Sequence, residues 1–260
     1  MPIIAVASAK GGTGKTTAAL SLAAALAEIP AHAISVVLID LDPGADATRR
    51  MGVERGRASL GALMEGRRNA FDHVGDFTVL QAGLHTGEGF AIVPSGEDVD
   101  ELEARFAKLP GGTELLVYRL HALGRECHLV IDTAPGIKSL LGRAAIAAAD
   151  VLIVPVLPQP GASRHVMDIV GILRGMGGHA HVLIVAAHAN GTGIDIKSLN
   201  DDLRADDLAI SEWFPYEVEM ANAAWSTGTP LLHAPSSRCV ACYRNLAQHI
   251  VHSTASKLTA

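Results

Sequence analysis

The chain has 260 residues, 49% hydrophobic but only 4% aromatic, with a formal net charge of −6 and a pI near 6.0. A core of Ala, Val, Leu and Ile suits a parallel sheet wrapped by close-packed helices, and the acidic balance excludes a chain whose whole surface binds nucleic acid. Three cysteines, an odd number, fit reduced thiols rather than a disulfide framework. The start Met-Pro leads straight into a buried-type strand, and no apolar run reaches the length of a membrane span. A cytoplasmic protein without a signal peptide or transmembrane helix is the expectation.

Residues 3–20, IIAVASAKGGTGKTTAAL, run from an apolar strand through a glycine-rich turn into an alanine-rich helix. That is the order of a phosphate-binding loop. Gly11, Gly12 and Gly14 let successive N–H groups, with that of Thr13, converge on one centre, and the helix adds the positive end of its dipole. Lys15 is then placed to reach the β- and γ-phosphates, and the Thr16 hydroxyl to ligate Mg²⁺. Thr17 supports the first helical turn or contacts the α-phosphate. A strand over 34–40, ISVVLID, runs into LDPGADAT. Asp40 and Asp42 therefore stand at a strand's C-terminal end, where an open parallel sheet faces its ligand crevice.

Six arginines, Arg49, Arg50, Arg55, Arg57, Arg67 and Arg68, surround a short helix near 58–66. They read as a solvated surface or as a face for DNA or a partner. The strands FTVLQAGL and GFAIVPSG follow, then an acidic helix, EDVDELEARFAKL, and a helix over 112–124. His128–Ile131 form a buried strand closed by Asp132, the pattern in which a carboxylate reaches Mg²⁺ through a water. After it come a helix over 138–148, the strand DVLIVPV, the loop LPQPG, a helix over 162–175 and the strand HVLIVAA. Strands and helices alternating at this spacing predict one α/β domain over 1–260, a doubly wound, mostly parallel sheet with helices on both faces. A last helix over about 237–254 carries Cys239 and Cys242, either buried thiols or half of a metal site that a dimer would complete. The tail beyond it reads as frayed.

The stretch Lys10-Gly-Gly-Thr-Gly-Lys-Thr-Thr17 resembles the deviant Walker A motif of the ParA/MinD ATPases, with Lys10 at the position of the signature lysine. The resemblance implies a P-loop fold in which two ATP-bound subunits meet face to face and Lys10 reaches the partner's phosphates. Asp40-Leu-Asp-Pro43 is similar to the family's D-x-D-P-Q, with Gly44 in place of glutamine. By that likeness Asp40 helps hold the magnesium shell, and Asp42 positions or activates the attacking water. Asp132-Thr-Ala-Pro-Gly136 looks like the turn that senses the γ-phosphate. Phe214-Pro-Tyr216 is similar to a motif whose backbone, at Pro215, lies beside adenine. The family's Asn-Arg pair after the last of these strands is here Ala187-His188, a departure at the base contact, and Asn190 follows slightly later.

Closest to ParA-type partition proteins, the pattern implies a slow, partner-stimulated ATP hydrolase using ATP and Mg²⁺. It implies an ATP-dependent homodimer, non-specific DNA as track, a ParB-like partner and a place on the nucleoid. No membrane contact is expected, because the tail lacks the basic amphipathic helix of MinD-type proteins. Nothing ahead of the loop reads as a helix-turn-helix, so site-specific DNA reading is not expected. Two other readings stay open: a positioner of a different cargo, and an iron–sulfur carrier of the Mrp type using Cys239 and Cys242. Arg164, Arg174, Lys197, Arg204, Arg238 and Arg244 are further candidates to face DNA.

Overall fold

The computed structural model describes residues 1–29, 36–53, 60–61, 86–96, 99–125, 127–187, 196–223 and 225–258. Seven runs form strands: β1 (Ile3–Val6), β2 (Val36–Asp40), β3 (Ala91–Val93), β4 (His128–Asp132), β5 (Val151–Val156), β6 (His181–Ala187) and β7 (Ile210–Phe214). They lie in the order β3-β2-β4-β1-β5-β6-β7, and every described pairing is parallel. Central parallel strands bury both faces, so alternate residues feed opposite cores. In β1, Ile3 and Ala5 join one core while Ile4 and Val6 join the other; in β2, Val37 and Ile39 oppose Val36 and Leu38.

The helices divide in the same way. Side chains of α3 (Val99–Ala107), α4 (Gly112–Leu123), α5 (Leu140–Ala148), α6 (Ala162–Gly175) and α7 (Ile196–Arg204) fill the first core. The second core takes α1 (Lys15–Ala27), α2 (Asp46–Arg50), α8 (Val218–Ala223), α9 (Pro230–His233) and α10 (Arg238–Leu258). Helix α1 packs between strands and α10 and is buried nearly all round. Its alanines, Ala18, Ala19, Ala23, Ala24 and Ala25, permit that close approach.

The expected sheet with helices on both faces is therefore present, and it is parallel throughout the described strands. Pro155 is tolerated inside β5 because the ladder to β1 ends at Ile153, leaving no partner strand on that side to be denied an N–H. The expected strand FTVLQAGL, most of the helix near 58–66 and residues 34 and 35 lie outside the described residues. Three elements among the described residues escaped the sequence reading, the short helix α2 being one. Strand β7, ISEWF, pairs among the described residues only with β6, through a register shift at Ile184/Val185, and mixes polar and apolar residues as a half-exposed edge does. Helix α7, IKSLNDDLR, is strongly polar. The backbone of α10 stays helical to Leu258, so the tail expected to fray continues the helix almost to the chain's last residues.

Helix α4 begins where α3 has just ended. A Cβ added at Gly112 would lie 2.0 Å from the Phe106 carbonyl oxygen, a backbone atom that cannot swing aside. Gly112→Ala is therefore expected to force the two helices apart and to cost about 1–3 kcal/mol. Urea unfolding at constant m-value measures it, and an unchanged midpoint would contradict the close packing.

Candidate nucleotide site

Strands β2, β4 and β1 are neighbours, and their C-terminal ends deliver Asp40, Asp132 and the glycine-rich turn to one place. After β1 the chain turns to β2 on one side, and after β4 it crosses to β5 on the other. That reversal opens the crevice where such sheets bind ligands. Gly12 and Gly14 adopt φ of +75° and +89°, values that disfavour any residue with a side chain. A Cβ added at Gly11, Gly12 or Gly14 would meet nothing within 4 Å, so the turn wraps open space rather than packed protein. Helix α1 starts at Lys15 without a side-chain cap or an acidic residue in its first turn, leaving its amides free for an anion.

The two lysines of the loop separate. Lys15 is buried, 6% exposed, and burial lowers its pKa against the pull of Asp132, Asp42 and Asp46. Lys10 is exposed, its Nζ donating to Gln159 Oε1 at 3.3 Å beyond β5. Its backbone is held by Ser8 Oγ, which accepts from Lys10 N–H at 3.3 Å and donates to the Lys10 carbonyl at 3.2 Å. The turn after β4 locks onto the same segment. Thr133 donates its hydroxyl to the Val6 carbonyl at 3.0 Å, and Gly136 N–H donates to the Ser8 carbonyl at 3.0 Å.

Asp40 and Asp132 face each other in register, and both are fully buried. Their hydrogen bonding differs. Asp40 Oδ2 accepts from Thr48 N–H at 2.9 Å and Thr48 Oγ1 at 2.7 Å, and Oδ1 accepts from Asp42 N–H at 3.1 Å. Burial still raises its pKa to about 6, those bonds notwithstanding. Asp132 is pushed well above the usual carboxylate range by burial, then by the Asp40 charge. The Thr16 hydroxyl is near enough to favour its ionised form, as is Lys15, yet neither oxygen of Asp132 accepts a hydrogen bond of regular geometry from the described residues. A buried carboxylate left with open lone pairs beside a hydroxyl suits a hard cation such as Mg²⁺. Asp132 and Thr16 fit that role directly; Asp40 spends its oxygens on the loop that follows it.

Asp42 is half-exposed, and its Oδ1 accepts from Gly44 N–H at 2.8 Å. A Cβ at Gly44 would come within 3.1 Å of that oxygen, so the glycine found in place of glutamine suits the folded-back carboxylate. Ser95, beyond β3, braces the loop: its N–H donates to Thr48 Oγ1 at 2.9 Å and its hydroxyl to the Asp42 carbonyl at 2.7 Å. Sequence reasoning assigned no role to Thr48 or Ser95, and it read Thr133 only as part of the turn after β4, not as a donor to the Val6 carbonyl. It also set Arg50 among surface arginines, whereas the structure turns Arg50 inward to donate from Nη1 to Thr17 Oγ1 at 3.2 Å.

Beside the loop a pocket is walled by Thr13, Gly14 and Thr17 on one side and by Phe214, Pro215, Tyr216 and Tyr243 on the other. Pro215 and Ala187 both line it, so the Phe214-Pro-Tyr216 segment and the glycine loop border one pocket; His188 and Asn190 lie outside the described residues. A cavity of about 1260 Å³ opens at the opposite end of the sheet around Met1, Asp150 and His181. It brings no group toward the loop. Cys239 is a buried thiol of α10 and Cys242 a partly buried one packed against the same core, with Sγ atoms 2.7 Å from the Pro215 carbonyl oxygen and 3.7 Å from that of Trp213. Burial pushes Cys239 up to about 11 and raises Cys242, which favours the protonated thiols over metal-binding thiolates.

Fold and site together define a P-loop ATPase. A model of the AAA domain family matches residues 1–176. The chromosome-partitioning ATPase Soj of Thermus thermophilus is 31% identical over 95% of this chain and 94% of its own length. Two solved structures share the fold. A putative plasmid partition protein of Borrelia burgdorferi bound to AMPPNP superimposes with a TM-score of 0.73 at 18% identity, over 97% of this chain and 98% of its own. The septum site-determining protein MinD of Pyrococcus horikoshii with Mg-ADP does so with a TM-score of 0.71 at 21% identity, over 96% and 95%. The chain belongs to the ParA-type P-loop ATPases of the AAA domain family.

The buried carboxylate carries a pH signature. Because the folded pKa of Asp132 lies above the unfolded value of about 3.9, ionising it at neutral pH costs stability. Asp132→Asn removes that cost, so the nucleotide-free variant is expected to melt a few degrees above the wild type at pH 8. Below the ordinary carboxylate range both states of the wild type are protonated, and the gain disappears. A variant that melts no higher at pH 8, or equally higher at every pH, would contradict the reading.

Proposed function

We propose that this ATPase works as a nucleotide-timed dimer that tracks non-specific DNA and moves a plasmid or chromosome with a ParB-like partner. The observation carrying this reading is the separation of the two lysines. Lys15 is buried among the carboxylates of its own site, while Lys10 stands exposed at the mouth, suited to neutralise phosphates held by a second copy. In this cycle the amides from Gly11 to Thr16 hold the phosphates, Lys15 binds the β- and γ-phosphates, and Pro215 flanks the base. Thr16 and Asp132 hold Mg²⁺, which neutralises phosphate charge, and Asp40 fixes the loop that carries Asp42. Asp42 orients the attacking water. Turnover is slow because no cationic finger is supplied until the partner binds, and loss of the γ-phosphate removes the contact that closes the dimer.

The whole chain acts as one ATPase domain in the cytoplasm, associated with the nucleoid. No described helix is long and apolar enough to cross a membrane. Of the basic residues singled out for DNA, Arg238 pairs with Glu217, Arg244 with Glu28 and Arg204 with Asp201. Arg164 and Arg174, both exposed on α6, are the better DNA candidates. A positioner of another cargo would share every feature of the ATP site. The iron–sulfur reading is disfavoured by the thiol geometry above.

Light scattering with Mg²⁺ and ATP tests the lysine assignment. The wild type is expected to dimerise, Lys10→Ala to bind ATP as a monomer, and Lys15→Ala to lose at least tenfold in ATP affinity, the loss of one strong charge-assisted contact. A Lys10→Ala protein that dimerises as the wild type does would remove the cross-subunit role.

A further inference from the structure

Arg50 ends α2, five residues past the αL turn at Ala45, and its surroundings differ from those of its neighbour Arg49. Arg49 lies on the surface, bonded to the Gly44 carbonyl and to Asp46. Arg50 turns the other way. Its carbonyl accepts from Gly228 N–H at 2.6 Å, fixing the end of α2 against the Gly-Thr-Pro turn before α9. Its guanidinium reaches the first turn of α1, where Nη1 donates to Thr17 Oγ1 at 3.2 Å. Nε and Nη2 are buried with no hydrogen-bond partner among the described residues. Unsatisfied buried donors on a cation are costly, and no ladder pairing among the described residues requires an arginine here.

The hydroxyl it touches explains the placement. A threonine hydroxyl has one proton to give and lone pairs to receive. Within a helix the proton ordinarily goes back to a carbonyl one turn earlier. Thr17 does not do this: among the described residues its hydroxyl donates to no acceptor, while its oxygen accepts from Arg50. Thr17 also lines the pocket, between the loop and the base-side wall of Phe214 and Pro215. With the oxygen engaged from behind by a cation, the proton is left to point into the pocket, and the guanidinium strengthens the O–H as a donor.

We infer that Arg50 is a positioning residue for the nucleotide, acting through Thr17. It orients and polarises the Thr17 hydroxyl toward the phosphate nearest the nucleoside, without touching the ligand itself. This rests on reading the loop as a nucleotide cradle. The ligand class is a nucleoside 5′-phosphate, and because the phosphate concerned is the one next to the sugar, ADP and ATP feel the same effect.

Calorimetric titration of Mg-ADP and Mg-ATP into the purified chain tests the pair. Arg50→Met is expected to lose about tenfold in affinity for both nucleotides, the value of one charge-assisted hydrogen bond. Thr17→Val loses a similar factor, and adding Arg50→Met to it changes nothing more, since the cation then has no hydroxyl to act through. Arg50→Lys, which keeps a cationic donor, recovers most of the loss. Arg50→Gln replaces Arg50→Met if the latter unfolds below the assay temperature, with the same expected loss. Wild-type affinity in the Arg50 variants, or losses that multiply in the double variant, overturns the inference while leaving the cradle intact. Failure of the wild type to bind either nucleotide, or binding undiminished in Lys15→Ala, overturns the cradle reading and the inference with it.

Discussion

Two carboxylates end neighbouring strands in register and are both sealed from water, and the rest of the site is arranged around that crowding of negative charge. Asp40 meets it with three hydrogen bonds from Asp42 and Thr48, and so becomes the anchor of the loop after β2. Asp132 keeps its oxygens open. Lys15 and Arg50, both more than half-buried beside α1, supply the opposing charge, and burial lowers the pKa of each. A protein without a ligand to receive would gain stability by replacing such a cluster with apolar side chains. Here the strain collects at the one end of the sheet where the glycine turn leaves space for a phosphate.

From that constraint the surrounding contacts acquire a purpose. Thr133 and Gly136 tie the turn after β4 to the segment entering the glycine loop, while Ser95 and Thr48 tie the loop of Asp42 to Asp40. A displacement at any phosphate-contacting group is thereby shared by three strand ends. Such coupling suits a switch in which the presence of a γ-phosphate alters an exposed face, because packed elements move between discrete arrangements rather than bending continuously.

The fold was legible because its signal is redundant. Buried parallel strands read as apolar runs, and Asp132 closing one of them marks the crevice without reference to any partner. The glycine loop was legible for a related reason: Gly12 and Gly14 are demanded by backbone conformation, and Lys15 and Thr16 follow them at the spacing of a phosphate-binding loop. Edge strand β7 was not, since an element with one neighbour and one wet side carries no run to recognise. Nor were Thr48, Ser95 and Arg50. Their roles depend on contacts across 8, 47 and 33 residues of chain, and a lone polar side chain announces none of them. Arg50 was read with the wrong company, as one more positive charge in a basic stretch, because sequence shows proximity along the chain but not which way a helix faces.

In the proposed cycle, nucleotide state at this cradle controls attachment to a DNA track. Binding to non-specific duplex DNA, measured with ATP, ADP or no nucleotide across a salt series, tests it most directly, with Asp42→Ala used to keep ATP intact. Attachment only with ATP, weakening steeply as salt rises, is the predicted result. Absence of DNA binding in every nucleotide state would contradict the partition function and leave a ParA-type ATPase acting on another cargo.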